Sequence, residues 1–507
     1  MLLLAASLLA LVVVLAAVRD GIRKRTSRLP PGPPGLPLLG NILQIPSQFL
    51  AYKLHDWSKQ YGPIYTFWMM GQPFVVLNSI KVAADVLDRK SDVTSDKPPM
   101  IKMACETEVD SCQVRPFADV GDGRLYAYGF NIRSTMRFTP MQENEAAHLA
   151  LGLLRHPDKP FNEHMHRFAA SIIFRSTYGG DTIAHMGPDP SKKIEDLTLR
   201  LMAASLPQNS VVDTLPFLKP LIENVKWLRK QADDWYNEVC EEGNRLYDAA
   251  IPADHWDATT TVHDLNINLE KYGMTKHDAM WMTLALFMAG QETSHTVLRI
   301  FALAMLNNPA VMRAAQEQLD AVCGRRPPTF ADRERLPYID AIIKEMLRWR
   351  PPVPLSLLRM ASEDFEYQGY TIPKGTTLID NIWCVGQTRD ASVYHNPDAF
   401  DPSRFLDASG NLLPSPPDTR SDLLGFGHGR RVCPGKDFAV NGMFISFAYL
   451  LWAFQFEWPV DESGKQVICG VDEMESHALV ATPRPFGVVL KSRHESLEEH
   501  LRAAMKE

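Results

Sequence analysis

Apolar positions fall into three patterns along this chain, and each predicts a different element. The first is an unbroken run: residues 1–18, MLLLAASLLALVVVLAAV, hold no charged side chain, close to the ~20 apolar residues that cross a bilayer's hydrocarbon core. The run exceeds the ~7–15-residue core of a cleaved signal peptide. Nothing basic precedes it, and Arg19, Arg23, Lys24, Arg25 and Arg28 follow it. The expectation is an uncleaved transmembrane anchor at 1–18 whose basic flank stays in the cytosol. A basic and proline-rich linker, 19–41, comes next. The prolines of LPPGPPGLPLLGN fix φ and remove donors, predicting a stiff extended strap into one body at 42–507.

The second pattern is helical. Thr275 and Asp278 have capping-box spacing, and AMWMTLALFMAGQETSHTVLRIFALAML runs from Ala279 to Leu306 before Asn307, Asn308 and Pro309 stop it. Such a helix spans roughly 45 Å. It is too apolar for a surface, and Glu292 and His295 place it inside protein rather than lipid. YIDAIIKEMLRWR predicts another helix, ended by Pro351 and Pro352. Its Glu345 and Arg348 share a face, which by spacing alone reads as a solvent-exposed ion pair worth under ~1 kcal/mol. The third pattern, β-branched and aromatic with Gly and Pro punctuation, predicts strands in FVVLNS and YQGYTIPKGTTLIDNIW. Most of the remainder reads as helix, with no internal repeat.

Composition narrows the class. With 45% hydrophobic and 22% charged residues, the 507-residue chain can bury a large core. A net charge of -7 excludes a nucleic-acid coat. Seven scattered cysteines without a C-x-x-C pair argue against a disulfide framework or a zinc site and fit a reducing compartment.

One of those cysteines is framed heavily, in GFGHGRRVCPG from Gly425 to Gly435. A phosphate-cradling loop fails because no G-K-[ST] or G-x-G-x-x-G opens a helix here. Zinc would have His428 and Cys433 and lack two ligands. A nucleophile needs a placed histidine that sequence does not show. A haem thiolate satisfies the whole stretch: arginine charge and backbone N–H groups stabilise the Cys433 anion, and glycines let the backbone curl close to sulfur. Arg431 matches a haem propionate as a bidentate fork, and a helix from Lys436 turns its positive end toward the sulfur.

Phe426, Gly429, Arg431, Cys433 and Gly435 fill every specified position of F-x-x-G-x-R-x-C-x-G, the haem signature of the cytochrome P450 family, which the chain thereby resembles. AGQETS at 289–294, EMLR at 345–348 and FDPSRF at 400–405 stand in the family's order. The resemblance implies a mainly α fold with small β-sheets, a long central helix over the haem and one N-terminal transmembrane helix. It implies haem b with Cys433 as axial ligand, and Phe426, Gly429, Gly435, Arg431, Arg133 and Arg359 as cofactor-binding residues, although Arg359 reads equally as a surface arginine. Glu292 and Thr293 would be catalytic, relaying protons from a locally opened helix. Glu345, Arg348 and Arg404 would form a structural triad.

The implied activity is insertion of one oxygen atom from O2 into a small lipophilic substrate, with electrons from an NADPH-cytochrome reductase. That reductase would meet Arg133, Arg430 and Lys436 at the endoplasmic reticulum membrane, with the catalytic domain cytosolic. Fungal microsomal members with similar straps point to a secondary metabolite: a terpenoid, polyketide or alkaloid intermediate. Alternatives are a haem-thiolate isomerase or dehydratase, and a degenerate haem-binding member. Phe287, Ala289, Leu355, Leu357 and 478–480 are candidate cavity walls. YGFNIRSTMR departs from the family's Y-G-x-x-W-R-x-x-R: Ile132 replaces tryptophan, Met136 replaces the second arginine, and Arg137 is displaced by one position.

Overall fold

Thr275 starts the long helix, Lys276–Asn307, as its spacing predicts. The Thr275 hydroxyl accepts from the Asp278 N–H at 3.1 Å, and Asp278 takes the Thr275 N–H at 2.9 Å. At 32 residues the helix is ~48 Å long. Nearly every side chain from Ala279 to Met288 and from His295 to Leu306 is buried. A helix apolar on all sides needs neighbours on all sides. Here they are the helices Phe161–Tyr178, Lys226–Ala250 and Lys436–Ala453 and the strand Val480–Pro483. Phe301 stacks on Phe447 at 3.9 Å between ring centres.

This computed structural model describes residues 28–46, 48–98, 135–185, 189–204, 225–251, 260–383, 388–391, 393–415, 423–477 and 479–505. The segment 1–18, Ile132, Arg133 and residue 478 lie outside them. Among the described residues no helix is long and apolar enough to cross a membrane.

Among the described residues ten short strands accompany the helices: β1 (Ile64–Met69), β2 (Gln72–Leu77), β3 (Arg359–Met360), β4 (Phe365–Tyr367), β5 (Tyr370–Ile372), β6 (Thr377–Asp380), β7 (Phe454–Glu457), β8 (Met474–His477), β9 (Val480–Pro483) and β10 (Val489–Ser492). The main sheet runs β1-β2-β6-β3, and the other six strands pair as three two-stranded ribbons. β2 and β6 pair in parallel, Val75 opposite Leu378, although three hundred residues of chain separate them. Mainly α with small sheets therefore describes the body. The strap is not free-standing: from Arg28 onward it docks on the sheet. Pro31 O accepts the Thr66 N–H, and Asn41 exchanges two hydrogen bonds with the Trp68 backbone.

The helix Pro337–Trp349 shows what spacing alone missed. Glu345 is fully buried, and Arg348 nearly so. Arg348 makes two bonds to the carboxylate, at 2.6 and 2.7 Å, and spends its remaining donors on the carbonyls of Thr388, Pro397 and Ala399. Arg404 reaches the same carboxylate at 3.3 Å, and the Asp401 N–H donates to it at 2.7 Å. The pair is thus the centre of a buried network, not a surface contact. Breaking such a network leaves an uncompensated charge, so Glu345→Ala should cost about 3–5 kcal/mol in urea unfolding. Glu498→Ala, which removes the exposed partner of Arg155, should cost under ~1 kcal/mol.

Candidate active site

The cysteine loop lies across the start of the helix Lys436–Ala453. Phe426 O accepts the Cys433 N–H at 2.8 Å and closes the loop. Gly427 and Gly429 adopt φ of 76° and 55°, where a side chain is strained. A Cβ on Gly429 would also stand 2.1 Å from Leu87 O. That glycine seats the loop against the segment Ala84–Asp88. Gly435, by contrast, would place a Cβ 4.0 Å from the sulfur, so the glycine content serves this docking more than close wrapping of Cys433.

Burial pushes the Cys433 thiol up to about 11, against the pull of the Gly435 N–H and Lys436. The arginines do not supply the anion's stabilisation predicted from sequence. Arg431 donates its Nε to Ser95 O at 2.8 Å instead. A thiol held this high would give up its proton on binding a metal ion.

Cys433 forms one wall of a cavity of about 410 Å³, and Ala285, Ala289, Thr293, Val297 and Leu298 of the long helix form another. Phe426, Val353, Leu357 and Ile382 add apolar surface. The charges are one-sided: Lys97, Arg359, Arg430 and Arg431 line the cavity, and no carboxylate does among the described residues. Arg359 is buried, contrary to a surface arginine. One arm of its guanidinium, Nη2, donates to His428 O at 2.7 Å, while Nη1 has no hydrogen-bond partner. Burial, opposed by Asp380 and Asp88, draws Arg359 down to about 10. Burial, then Arg359 and Arg431, draws the Lys97 amine down to about 7. An apolar slot with Lys97, Arg359 and Arg431 clustered beside it and an orphaned buried donor fits a planar, apolar group that carries carboxylates at one edge.

On the long helix, the Thr293 hydroxyl donates to Ala289 O at 2.9 Å. The helix stays α-helical through 289–294, so the predicted local opening is absent. Gly290 serves packing: a Cβ there would meet Ile173 Cδ1 at 2.8 Å. Glu292 is half-buried and not in the cavity lining; its charge acts on His166 and Arg299.

The structure brings Cys433, Arg431, Phe426, Arg359 and Thr293 to one cavity, with Gly429 and Gly435 in the loop behind. Arg133 lies outside the described residues. Met136 is 57% exposed and Arg137 stacks on Phe138, so neither lines the cavity. Of the candidate walls, Ala289 and Leu357 line it; Phe287 is core against Phe174, and Leu355 packs beside the β1-β2 sheet. Lys97 went unrecognised because an isolated lysine before two prolines carries no pattern.

A family model described as Cytochrome P450 matches residues 30–486. Cytochrome P450 monooxygenase 58 of Postia placenta is 37% identical over 475 residues, 92% of this chain and 89% of that protein. A cytochrome P450 monooxygenase of Armillaria gallica is 37% identical over 508 residues, covering 97% and 95%. The cytochrome P450 monooxygenase claR of Ampulloclitocybe clavipes is 31% identical over 506 residues, covering 94% and 89%.

The cation cluster makes a prediction that needs no ligand. In the cofactor-free protein, Lys97 labelled by reductive ¹³C-methylation should titrate near 7. Arg359→Met or Arg431→Met should raise that value, because each removes a like charge.

Proposed function

Because the chain belongs to the cytochrome P450 family, and so is a haem-thiolate monooxygenase served by O2 and a redox partner, we propose a finer assignment. It inserts one oxygen atom into a small lipophilic secondary metabolite, with haem b as cofactor and electrons from an NADPH-cytochrome reductase. The observation that carries this reading is the cavity itself, lined by a sulfur, a hydroxyl-bearing helix and a cluster of cations, with no carboxylate among the described residues. Bound there, haem supplies oxygen activation.

The protein's own residues do the rest. Cys433 would ligate the iron. Arg359 Nη1, Arg431 and Lys97 would hold the propionates, whose charge would offset the repulsion among them. The Thr293 hydroxyl, oriented by Ala289 O, passes protons into the cavity, and Glu292 one residue back replenishes it. Apolar walls from Ala285, Ala289, Val297, Val353 and Ile382 favour a lipophilic substrate and exclude water. A terpenoid, polyketide or alkaloid intermediate, the class implied by the resemblance to fungal microsomal members, would suit such walls.

The same reading places the protein at the endoplasmic reticulum membrane through the apolar segment 1–18, with the body in the cytosol. Leu36, Leu39 and Leu43 support it, because they expose apolar surface on the strap that follows that segment in sequence. The exposed Arg430 and the partly exposed Lys436, beside the cysteine loop, offer the reductase a basic face.

Reduced protein under CO should show the strongly red-shifted Soret band of a thiolate-ligated haem, and Cys433→Ser should lose it. Thr293→Ala should keep the band but lower product formation with NADPH and reductase by on the order of 10²-fold, with peroxide released instead. A wild-type protein lacking the band would contradict the assignment.

A further inference from the structure

His428 is a buried titratable group to which the reaction gives no task. It stands five residues before Cys433 and is 4% exposed. Its Nδ1 lies 3.2 Å from Asp88 Oδ2, and its Nε2 faces Asp380 Oδ2 at 3.6 Å. Both carboxylates are buried. Asp88 ends the π-helical turn Ala84–Asp88, and Asp380 ends β6. One imidazole ring therefore bridges a helical turn, the main sheet and the cysteine loop. The loop backbone is tied at the same place: the Gly429 N–H donates to Asp88 Oδ1 at 2.5 Å, and Arg359 holds His428 O.

A neutral imidazole has one N–H and satisfies one carboxylate; its other nitrogen would turn a lone pair toward the second. Carboxylates on opposite sides of the ring suit an imidazolium, in which both nitrogens donate. The net charges then close. His428 and Arg359 offset Asp88 and Asp380, which leaves an excess of two positive charges, Lys97 and Arg431, to match the two carboxylates of the cofactor, with Arg359 Nη1 still free to donate to them. We propose that His428 is a positioning residue: held as an imidazolium between Asp88 and Asp380, it pins the loop that carries Cys433, and loss of its proton releases that loop.

Burial alone would lower the affinity of His428 for its proton. Asp380 and Asp88 outweigh it, with Arg359 opposing, and hold the imidazole above its usual 6.5. A cation whose pKa is raised on folding stabilises fully below the unfolded value and ceases to do so as pH rises through the folded one. The loop should therefore loosen on the alkaline side. Asp88 faces the ring from the helical turn, Asp380 from β6 and Arg359 from β3, with Lys97 and Arg431 beyond Arg359. Burial, Arg359 and Arg431 also draw the Lys97 amine down to about 7, so the measurement must see the imidazole itself.

The test takes the full-length haem-loaded protein, with histidines isotopically labelled and the His428 resonance assigned by its loss in His428→Gln. Its midpoint should lie above 6.5, and Asp380→Asn should lower it by about one unit, a tenfold change in proton affinity. In parallel, the thiolate band of the CO complex is followed against pH. Wild type should lose it with the midpoint of His428. His428→Lys, which keeps a charge through this range, should hold it to higher pH, and His428→Gln should lose it about tenfold faster at neutral pH. A midpoint at or below 6.5, or a His428→Gln profile superimposable on wild type, overturns the proposal. Should His428→Gln fail to fold, Asp380→Asn and His428→Lys still decide it. The spectral arm rests on the haem-thiolate reading: wild type without the band at any pH overturns that reading, while the resonance titration still judges His428.

Discussion

Positive charge gathered beside an apolar slot is the constraint around which the site is arranged. Lys97 comes from a loop after the first sheet hairpin, Arg359 from β3 and Arg431 from the cysteine loop, and all three line one cavity close enough to repel one another. The protein offsets only part of this charge. Asp88 and Asp380 sit behind Arg359 and His428, and nothing anionic lines the cavity in front among the described residues. Repulsion of this kind persists only where the surrounding fold is stiff enough to hold it.

That stiffness has two sources. Glu345 gathers Arg348, Arg404 and the Asp401 backbone into one buried knot, which holds the segment preceding the cysteine loop against the helix Pro337–Trp349. The long helix, packed on all sides, sets the opposite wall. Gly429, pressed against Leu87 O, fixes how far the loop stands from the sheet. Chemistry follows from these placements: a sulfur, a hydroxyl and a cluster of cations line one mostly apolar cavity.

Local signals were legible where one short stretch contains the whole interaction. The capping box at Thr275 and Asp278, the all-round apolar run behind it, and the glycine-framed Cys433 each announce themselves in sequence. The same reasoning failed where partners lie far apart in the chain. Glu345 and Arg348 look like a surface pair until residues 388–404 cover them. Arg359 looks like a surface arginine until the cysteine loop folds over it. Lys97 has no pattern at all, and the Asp88–His428–Asp380 bridge joins residues some three hundred positions apart. The expected opening of the long helix at 289–294 was also wrong, because Gly290 answers to Ile173 and not to a broken helical turn.

The account's central claim is that haem carboxylates relieve the cation cluster, and Lys97 reports on it directly. Its titration can be followed in the cofactor-free protein, with haem, and with haem dimethyl ester, which has the same ring and no carboxylates. The account predicts that haem raises the Lys97 midpoint well above about 7 and that the ester does not. Equal shifts with both, or no shift with haem, would contradict it.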